Sequence, residues 1–463
     1  MLFSSATFLF YFLPLFLALY YLLPWKNTVL LLASLLFYAW GEPRFVPLLL
    51  ASSLLNYATG YLLARARRRR LPLLAAGIGL NLAMLGYFKY LGFFTASVNA
   101  VLGSHLSLPH IVLPLGISFF TFQGISYLID VYRGTIDAQK SFWTFAMYKA
   151  MFPQLIAGPI VRYQQIAGEL EHRVLSNERL WRGLRQFVLG LSQKVLIANT
   201  VASAADRLFA ADPQQLTSAG AWLALACYSL QILYDFAGYS NMAIGIGHMI
   251  GFTYPPNFNR PYTALSITDF WRRWHISLSS WFRDYLYIPL GGNRASPLRT
   301  YANLGLVFLL CGLWHGAAWT FIIWGAWHGA LLIAERAGLG RVLTRLPASL
   351  AQVYTMLAVM LGWVFFRADN VPYALHFLAA LFGLSPADQL AHPWQMDVHG
   401  AQWAALAIGG ALALWRTPPA ALAAVAPPMW RQPLRVAAGA LGLALCAASL
   451  AAGTYNPFIY FHF

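Results

Sequence analysis

The chain has 463 residues, of which 59% are apolar and 10% are charged, and its mean hydropathy is +0.57. This composition excludes a soluble globular protein, in which about 25% of residues are charged. The formal charge of +16 does not indicate nucleic-acid binding, because the basic residues cluster in short loops between apolar stretches, as the positive-inside rule describes. The sequence therefore predicts a polytopic integral membrane protein.

Apolar stretches close to membrane-spanning length recur along the whole chain. They lie near residues 3–24, 28–41, 45–64, 71–98, 111–132, 143–160, 183–204, 218–250, 301–313, 315–336, 350–366, 371–384, 402–426 and 434–453. We expect an all-α protein with about 11 to 13 transmembrane helices plus short re-entrant or interfacial helices. The longest polar departures, at 161–182, 254–300 and 385–401, are too short for a soluble domain. Residues 1–463 are therefore predicted to form a single membrane-embedded domain.

The first apolar stretch is predicted to be a retained span, because it lacks a basic segment before it and a small-residue cleavage site after it. Five arginines follow the third span, at positions 65 and 67–70. If they are cytoplasmic, the N-terminus is extracytoplasmic. Such basic loops also attract anionic membrane lipids.

The three cysteines, Cys227, Cys311 and Cys446, lie in apolar runs without C-x-x-C spacing. This indicates neither a disulfide framework nor a zinc knuckle. No His-Glu-x-x-His motif occurs either. We therefore expect no metal.

Two apolar segments are interrupted by polar groups. In residues 152–159, prolines and a glycine break the helix around Gln154, and broken helices are tolerated only where protein or a cavity surrounds them. Gln154 is expected to contact a ligand or to satisfy freed backbone groups.

In residues 234–241, Asp235 places a carboxylate at membrane depth, where it must be paired or face water. It is expected to contact substrate and orient a histidine, or to pair with an arginine of residues 272–294.

Residues 269–288 combine apolar side chains at helical spacing with arginines on the other faces. This pattern predicts one interfacial or re-entrant amphipathic helix, with His275 at the edge of its apolar face. Trp274 and Ser277, which flank His275, are expected to contact substrate. A helix that only anchors the protein on the membrane surface fits the pattern equally well.

A Trp-His-Gly triplet occurs twice, at 314–316 and 327–329. On one straight helix, His328 would lie roughly 20 Å from His315 and be rotated by about 140°, so only one of them could share a reaction centre with His275. Gly316 and Gly325 permit close helix packing or a local break, which would remove that restriction. For His328 we predict an interhelical hydrogen bond to a backbone carbonyl or a hydroxyl.

Taken together, several segments resemble the membrane-bound O-acyltransferase family, and in particular its bacterial alginate O-acetyltransferase branch. The matching segments are 113–123, 153–159, 234–241, 259–262, 269–287, 313–316 and 456–461. The resemblance covers nearly the whole chain. It implies a multi-pass acyltransferase of the bacterial cytoplasmic (inner) membrane, in which an acyl group moves from a cytoplasmic thioester towards an exported polymer.

The resemblance also implies site residues. The catalytic histidine of the family corresponds to His315, and its second polar position corresponds to His275. We expect His315 to act as general base and His275 to polarise the thioester carbonyl or orient a substrate, with Trp314 beside them. A covalent acyl-cysteine route through Cys311, one helical turn before His315, is the alternative to direct transfer.

The expected function is O-acetylation of an exported polysaccharide such as alginate or cellulose. Acetyl-CoA is the expected donor, and a periplasmic, acetyl-handling, esterase-like protein is the expected partner. Transfer of D-alanyl or another acyl group to a cell-envelope polymer is an alternative. From different classes, a transporter or flippase and a catalytically silent scaffold of a polymer-export complex also stay open.

Overall fold

The computed structural model describes residues 1–107, 111–156, 158–294, 296–385, 398–416, 431–453, 455–457 and 459. All regular structure within these residues is helical, which confirms the all-α prediction. Most of the polar stretch 385–401 and the end of the predicted span 402–426 lie outside the described residues.

The α-helices of the described residues are numbered α1 to α21 in chain order. They are Leu13–Leu22, Lys26–Gly41, Val46–Arg65, Arg70–Leu85, Leu91–Leu102, Ile117–Arg133, Phe142–Ala150, Phe152–Leu155, Tyr163–Glu171, Asn177–Ser192, Asn199–Ala210, Ser218–Met249, Ile267–Arg273, Ile276–Phe282, Pro297–His315, Trp319–Ala334, Gly340–Leu343, Ala348–Arg367, Val371–Leu381, Gly400–Leu414 and Arg431–Ala451. π-helical turns occupy Phe8–Phe12, Gly86–Tyr90, Gln193–Ala198, Arg283–Tyr287 and Glu335–Leu339, and 3-10 turns occupy Pro43–Phe45 and Pro261–Thr263.

Several helices are suited to a bilayer. Within the described residues, four are long and apolar enough to cross it alone: Pro43–Arg65, Arg70–Leu102, Asn177–Ala210 and Ala348–Arg367. Shorter apolar helices occur at Phe8–Leu22, Val371–Leu381, Gly400–Leu414 and Val436–Ala451. The protein is a multi-pass membrane protein, whereas the predicted total of about 11 to 13 crossings stays a prediction.

Contacts divide the chain into two compact units, residues 1–187 with 242–255 and residues 188–241 with 256–463. In the first unit, α6 packs against α3 and α4. Asn56 on α3 and Asn81 on α4 exchange amide hydrogen bonds of 3.1 and 2.9 Å, and the buried Lys149 donates to the carbonyl and hydroxyl of Ser52. These bonds satisfy polar groups that would be costly at membrane depth. The prediction of a single domain stays a prediction.

In the second unit, α15 and α16 form a tightly packed helical hairpin. A Cβ atom on Gly312 would lie 2.2 Å from the carbonyl oxygen of Phe321, and one on Gly325 would lie 2.3 Å from that of Phe308. Only glycine fits at both positions, because any side chain would collide with backbone. The predicted close packing at Gly325 is confirmed, and the hairpin turns the chain directly after His315.

Candidate active site

The predicted single helix over 269–288 is wrong, because the helix breaks at His275. Helix α13 ends at Arg273 and α14 begins at Ile276. His275 between them has a left-handed backbone, with φ 43° and ψ 54°. Such a conformation costs a non-glycine residue about 1–3 kcal/mol and persists only where the surroundings impose it.

Asn257 imposes this geometry. Its carbonyl accepts the backbone N–H of Ile276 at 2.9 Å. Its side-chain oxygen Oδ1 accepts the backbone N–H and the hydroxyl of Ser277 at 3.1 and 2.8 Å, and lies 3.2 Å from Nδ1 of His275. Since a backbone N–H can only donate, the Asn257 atom must be the amide oxygen, and Nδ1 of His275 must therefore carry the proton.

This hydrogen bond determines what the second nitrogen of His275 can do. In a neutral imidazole with a proton on Nδ1, Nε2 holds a lone pair and can only accept. Nε2 is buried and has no hydrogen-bond partner among the described residues. An accepting nitrogen cannot donate to a thioester carbonyl, but it can accept the proton of a hydroxyl. Of the two sequence-based roles for His275, orientation of a substrate is the one this tautomer allows.

Helix α13, which leads into the break, is anchored at its start. Ser266 caps it by accepting the N–H of Asp269 at 3.0 Å. The carboxylate of Glu335 accepts the N–H groups of Ile267 and Thr268 at 2.6 and 2.9 Å. A carboxylate at a helix N-terminus satisfies unpaired amides and complements the helix dipole. The position of His275 is thereby tied to the end of α16.

His315 is the last residue of α15, where the chain leaves the helix at Gly316. A Cβ atom on Gly316 would lie 2.1 Å from the ring of Phe321, so a side chain there would displace that ring. The predicted local break after His315 is confirmed. The His315 ring lies 5.0, 5.1 and 5.2 Å from the rings of Trp314, Trp324 and Phe366, respectively.

The structure brings the two histidines of the sequence prediction together. Their ring centroids lie 6.4 Å apart, although 40 positions separate them in the sequence. Trp314 contacts both rings, with centroid distances of 5.0 Å to His315 and 6.1 Å to His275. Trp274 lines a small cavity of about 10 Å³ beside His315. Ser277 is linked to His275 because both residues form hydrogen bonds to Oδ1 of Asn257.

His328 lies in the middle of α16 and forms an interhelical hydrogen bond, but to an indole instead of a backbone carbonyl or hydroxyl. Nε1 of Trp271 donates to Nδ1 of His328 at 3.3 Å. Because indole can only donate, Nδ1 must be the acceptor, and Nε2 of a neutral His328 carries the proton. This tautomer is the opposite of that of His275.

The predicted pairing of Asp235 with an arginine of 272–294 is wrong. Its carboxylate pairs with Lys194, with Nζ 2.6 Å from Oδ1, and accepts the N–H of Ile459 at 2.9 Å. Lys194 Nζ also donates to the carbonyl of Pro457. In the described part of the chain no hydrogen bond or ion pair joins Asp235 to a histidine. Membrane-depth charges are usually paired, and here the pair also binds the backbone of Pro457 and Ile459.

Gln154 belongs to the first compact unit, where its amide donates to the carbonyl of Tyr148. This bond matches the alternative in which Gln154 satisfies backbone groups of a broken helix. A contact between Gln154 and substrate stays a prediction.

Cys311 lines a cavity of about 410 Å³ beside the break between α13 and α14. Its wall is mainly apolar and includes Trp271 and Leu278, while Arg272 and Arg283 contribute two guanidinium groups. Arg283 is engaged by Asp284 at 2.6 and 3.1 Å, whereas Arg272 is exposed. The cavity can hold an elongated group with an apolar arm and an anionic end.

Sequence reasoning missed Asn257 and Lys194. Asn257 lies just before the quoted segment 259–262, and a short polar residue within an aromatic loop was the available signal. Lys194 is a single cation in an apolar stretch, which calls for a buried acid. No sequence pattern indicated that residue 459 contacts Asp235, because the two residues lie far apart in the chain and meet only in the folded protein.

Comparison with known proteins agrees with the family resemblance found in the sequence. The family model for the membrane-bound O-acyltransferase family matches residues 136–368. A probable alginate O-acetylase AlgI of Azotobacter vinelandii is 46% identical over 392 residues, which cover 82% of this chain and 78% of the relative. A probable alginate O-acetylase AlgI of Pseudomonas aeruginosa is 42% identical, with 100% of both chains covered.

A peptidoglycan O-acetyltransferase of Helicobacter pylori is 40% identical over 425 residues, which cover 83% of this chain and 80% of the relative. The names of these relatives agree on the transferred group and differ in the polymer. The chain belongs to the membrane-bound O-acyltransferase family and is an O-acetyltransferase.

Proposed function

We propose that the protein moves acetyl groups from acetyl-CoA across the membrane to an acceptor hydroxyl group, for O-acetylation of an exported polysaccharide, at the histidine pair His275 and His315. The observation that carries this proposal is the 6.4 Å separation of two buried histidine rings that come from different helices. It supports one reaction centre in which one imidazole takes a proton and the other orients the acceptor molecule.

The reaction needs no covalent intermediate on the protein. The imidazole of His315 removes the proton of the acceptor hydroxyl while the oxygen attacks the thioester carbonyl carbon. The new C–O bond forms, the C–S bond breaks, and the thiolate takes up the proton from His315 to leave as coenzyme A. Because the attacking hydroxyl has a single proton, His275 Nε2 orients the acceptor by accepting a hydrogen bond from a second donor group of that molecule. A neutral imidazole is required for both roles.

The cavity beside Cys311 is the proposed entry for the donor. Its apolar wall suits the thioester arm, and Arg272 and Arg283 would attract the phosphates of acetyl-CoA. Cys311 lies one turn before His315 on α15, so this wall leads towards the histidine pair. A thioester arm in this cavity would also account for Cys311 without making it a nucleophile.

The proposed setting is the bacterial cytoplasmic membrane, with the N-terminus outside and the arginines at 65 and 67–70 inside. This orientation follows from the charge of the loops. It would place donor binding and acceptor binding on opposite sides of the membrane. A periplasmic esterase-like protein is the proposed partner that finishes or directs transfer to the polymer.

The test is label transfer by the purified protein in liposomes, with radiolabelled acetyl-CoA on one side and oligosaccharide on the other. We expect His315→Ala to lower the transfer rate by about 10²–10⁴-fold at equal folded amounts, the range for loss of a general base. Cys311→Ala should stay within about twofold of the native rate. The matched control is His328→Phe, which removes a buried imidazole outside the histidine pair.

Two outcomes contradict the proposal. Activity that survives His315→Ala would remove His315 as the base. Loss of activity with Cys311→Ala, together with a labelled protein that releases acetohydroxamate in neutral hydroxylamine, would establish the covalent route.

A further inference from the structure

A long groove lies against α20 in the second unit, and no step of the proposed reaction uses it. Its volume is about 900 Å³, within the range of about 300–1,000 Å³ that is usual for ligand sites. The end of α10, the π-helical turn Gln193–Ala198, α12 and residues 258–261 contribute to the facing wall. Along α20 the lining extends from Ala401 to Ala413, a distance of about 18 Å on a helix. We call this cavity the α20 groove.

Most of the lining of the α20 groove is apolar, and the groove is open along its side. Leu189, Ile408 and Leu412 belong to the lining, and each is more than half exposed. In a membrane protein, exposed apolar side chains of this kind contact the hydrocarbon of the bilayer. One leaflet of that hydrocarbon is about 15 Å thick, half of a core of about 30 Å. The groove therefore has the length and the polarity of a site for a lipid acyl chain.

One end of the α20 groove is polar and positively charged. Among the lining residues that the structure describes, Arg260 is the one charged residue, and no carboxylate belongs to the lining. Arg260 is exposed and donates to the carbonyl of Trp415 at 3.2 Å, where α20 ends. A guanidinium group has five N–H donors, so it can hold this carbonyl and also bind a phosphate. A lining without a carboxylate favours a lipid whose headgroup carries no positive charge.

The backbone at Arg260 has the same unusual conformation as the backbone at His275. Within the described ranges, these two are the non-glycine residues with a left-handed backbone, and φ and ψ of Arg260 are 48° and 58°. Such strain is typical of ligand sites and active sites. The N–H of Asn259 donates to the carbonyl of Arg273 at 2.9 Å, in addition to the bonds of Asn257 described above. A ligand that holds Arg260 therefore also holds the loop that orients His275.

We propose that the α20 groove binds one anionic phospholipid of the surrounding bilayer, with an acyl chain along α20 and its phosphate on Arg260. The inference goes beyond the proposed function, because lipid binding requires no turnover. An apolar helix of a partner protein would cover the alanines of α20 but would bring no anion to Arg260. Phe258 lines the groove, and its ring lies 5.1 Å from that of Trp274. The bound lipid would thus lie one aromatic ring away from Trp274.

Native mass spectrometry of the full-length protein in detergent measures the binding, with phosphatidylglycerol as the probe and phosphatidylcholine as the comparison. The native protein should bind one phosphatidylglycerol molecule about tenfold more tightly than phosphatidylcholine. Arg260→Gln keeps a long polar side chain and removes the charge, so it should weaken phosphatidylglycerol binding by about tenfold. Inorganic phosphate should not displace the lipid, because it has no acyl chain to occupy the groove.

A second variant tests the apolar part of the site and leaves Arg260 intact. Ala404 lines the groove and is exposed, so the ring of Ala404→Phe would fill the groove without entering the packed core. This variant should weaken phosphatidylglycerol binding by about tenfold. Two matched controls should stay within about twofold of the native affinity. Ala407→Phe changes an exposed residue of α20 outside the lining, and Arg336→Gln changes an exposed arginine that donates to Asn293.

Photo-crosslinking in liposomes establishes where the lipid binds. A phosphatidylglycerol with a diazirine in its acyl chain should label peptides from residues 189–200 and 401–413, and Ala404→Phe should remove that label. Equal phosphatidylglycerol affinity of the native protein, Arg260→Gln and Ala404→Phe would overturn the site. Equal affinity of the native protein for the two lipids would overturn Arg260 as the partner of an anionic headgroup. A copurified protein that shields these peptides from the probe would make the groove a protein interface and overturn the lipid assignment.

Discussion

The two Trp-His-Gly triplets of this chain have the same residues but different surroundings. His315 ends its helix and lies 6.4 Å from the ring of His275, whereas His328 lies inside a helix and accepts a hydrogen bond from Trp271. Both are buried among aromatic rings. The difference is that His315 lies at a helix end beside a second histidine, while His328 lies in a helix interior and accepts from an indole. The motif alone therefore does not identify a catalytic histidine.

The largest expected effect distinguishes a shared reaction centre from two independent sites. His275→Ala and His315→Ala should each lower the transfer rate by about 10²–10⁴-fold, and the double variant should lose about as much as the more damaging single variant. The effects of groups that act together in one reaction step are not additive. Rates are measured in liposomes with labelled acetyl-CoA. Multiplicative losses in the double variant would show that the two histidines act separately.

A smaller effect is expected from the residue that fixes the tautomer of His275. Asn257→Leu removes the acceptor of three hydrogen bonds and should lower the transfer rate by about tenfold to a hundredfold. Asn257→Asp keeps an acceptor oxygen and should be the milder change. The ratio of the two rates is the measurement. Equal losses would mean that Asn257 acts through its amide N–H₂ group.

His328, in the second triplet, is expected to contribute to stability and not to the transfer rate. His328→Phe keeps a ring of similar size but leaves the indole N–H of Trp271 buried without an acceptor. We expect a loss of about 1–3 kcal/mol in unfolding free energy and a transfer rate within about twofold of native. Thermal unfolding in detergent and the liposome assay measure the two quantities. A hundredfold loss of rate in a folded variant would place His328 in the chemistry.

The smallest expected effect compares the glycines of the two triplets. A Cβ atom on Gly316 would lie 2.1 Å from the ring of Phe321, while one on Gly329 would lie 3.2 Å from Cβ of Phe308. Gly316→Ala should therefore destabilise by about 1–3 kcal/mol through overpacking, and Gly329→Ala by under about 1 kcal/mol. Equal melting temperatures for the two variants would show that the Phe321 ring moves freely.

The sequence predicted the class of fold, and it singled out two histidines that the structure brings close together. Apolar stretches required helices, and the scarcity of charged residues at membrane depth marked His275 and His315 as unusual. The break at His275 could not be predicted, because residues 269–288 have a regular helical pattern. What overrides the pattern is Asn257, which lies outside that segment and acts through tertiary hydrogen bonds.

Asp235 is a second case in which the sequence alone did not predict a tertiary contact. A buried carboxylate predicts a buried cation, and the structure supplies one. The sequence contains 31 lysines and arginines, however, and spacing along the chain does not say which one pairs. Lys194 pairs with Asp235 because α12 lies beside the π-helical turn Gln193–Ala198. Gly238 on α12 allows this close approach, since a Cβ atom on Gly238 would lie 2.7 Å from the carbonyl oxygen of Gly190.

The Lys194–Asp235 pair also has a consequence for biosynthesis. It joins two helices of the second unit to residues 457 and 459, and Ile459 lines the cavity beside His315. During translation these residues leave the ribosome after every other part of the site. Until they arrive, the ion pair lacks its backbone partners and the cavity lacks one wall. The ion pair and this cavity can therefore be completed only after residues 457 and 459 have been synthesised and have packed against the earlier helices.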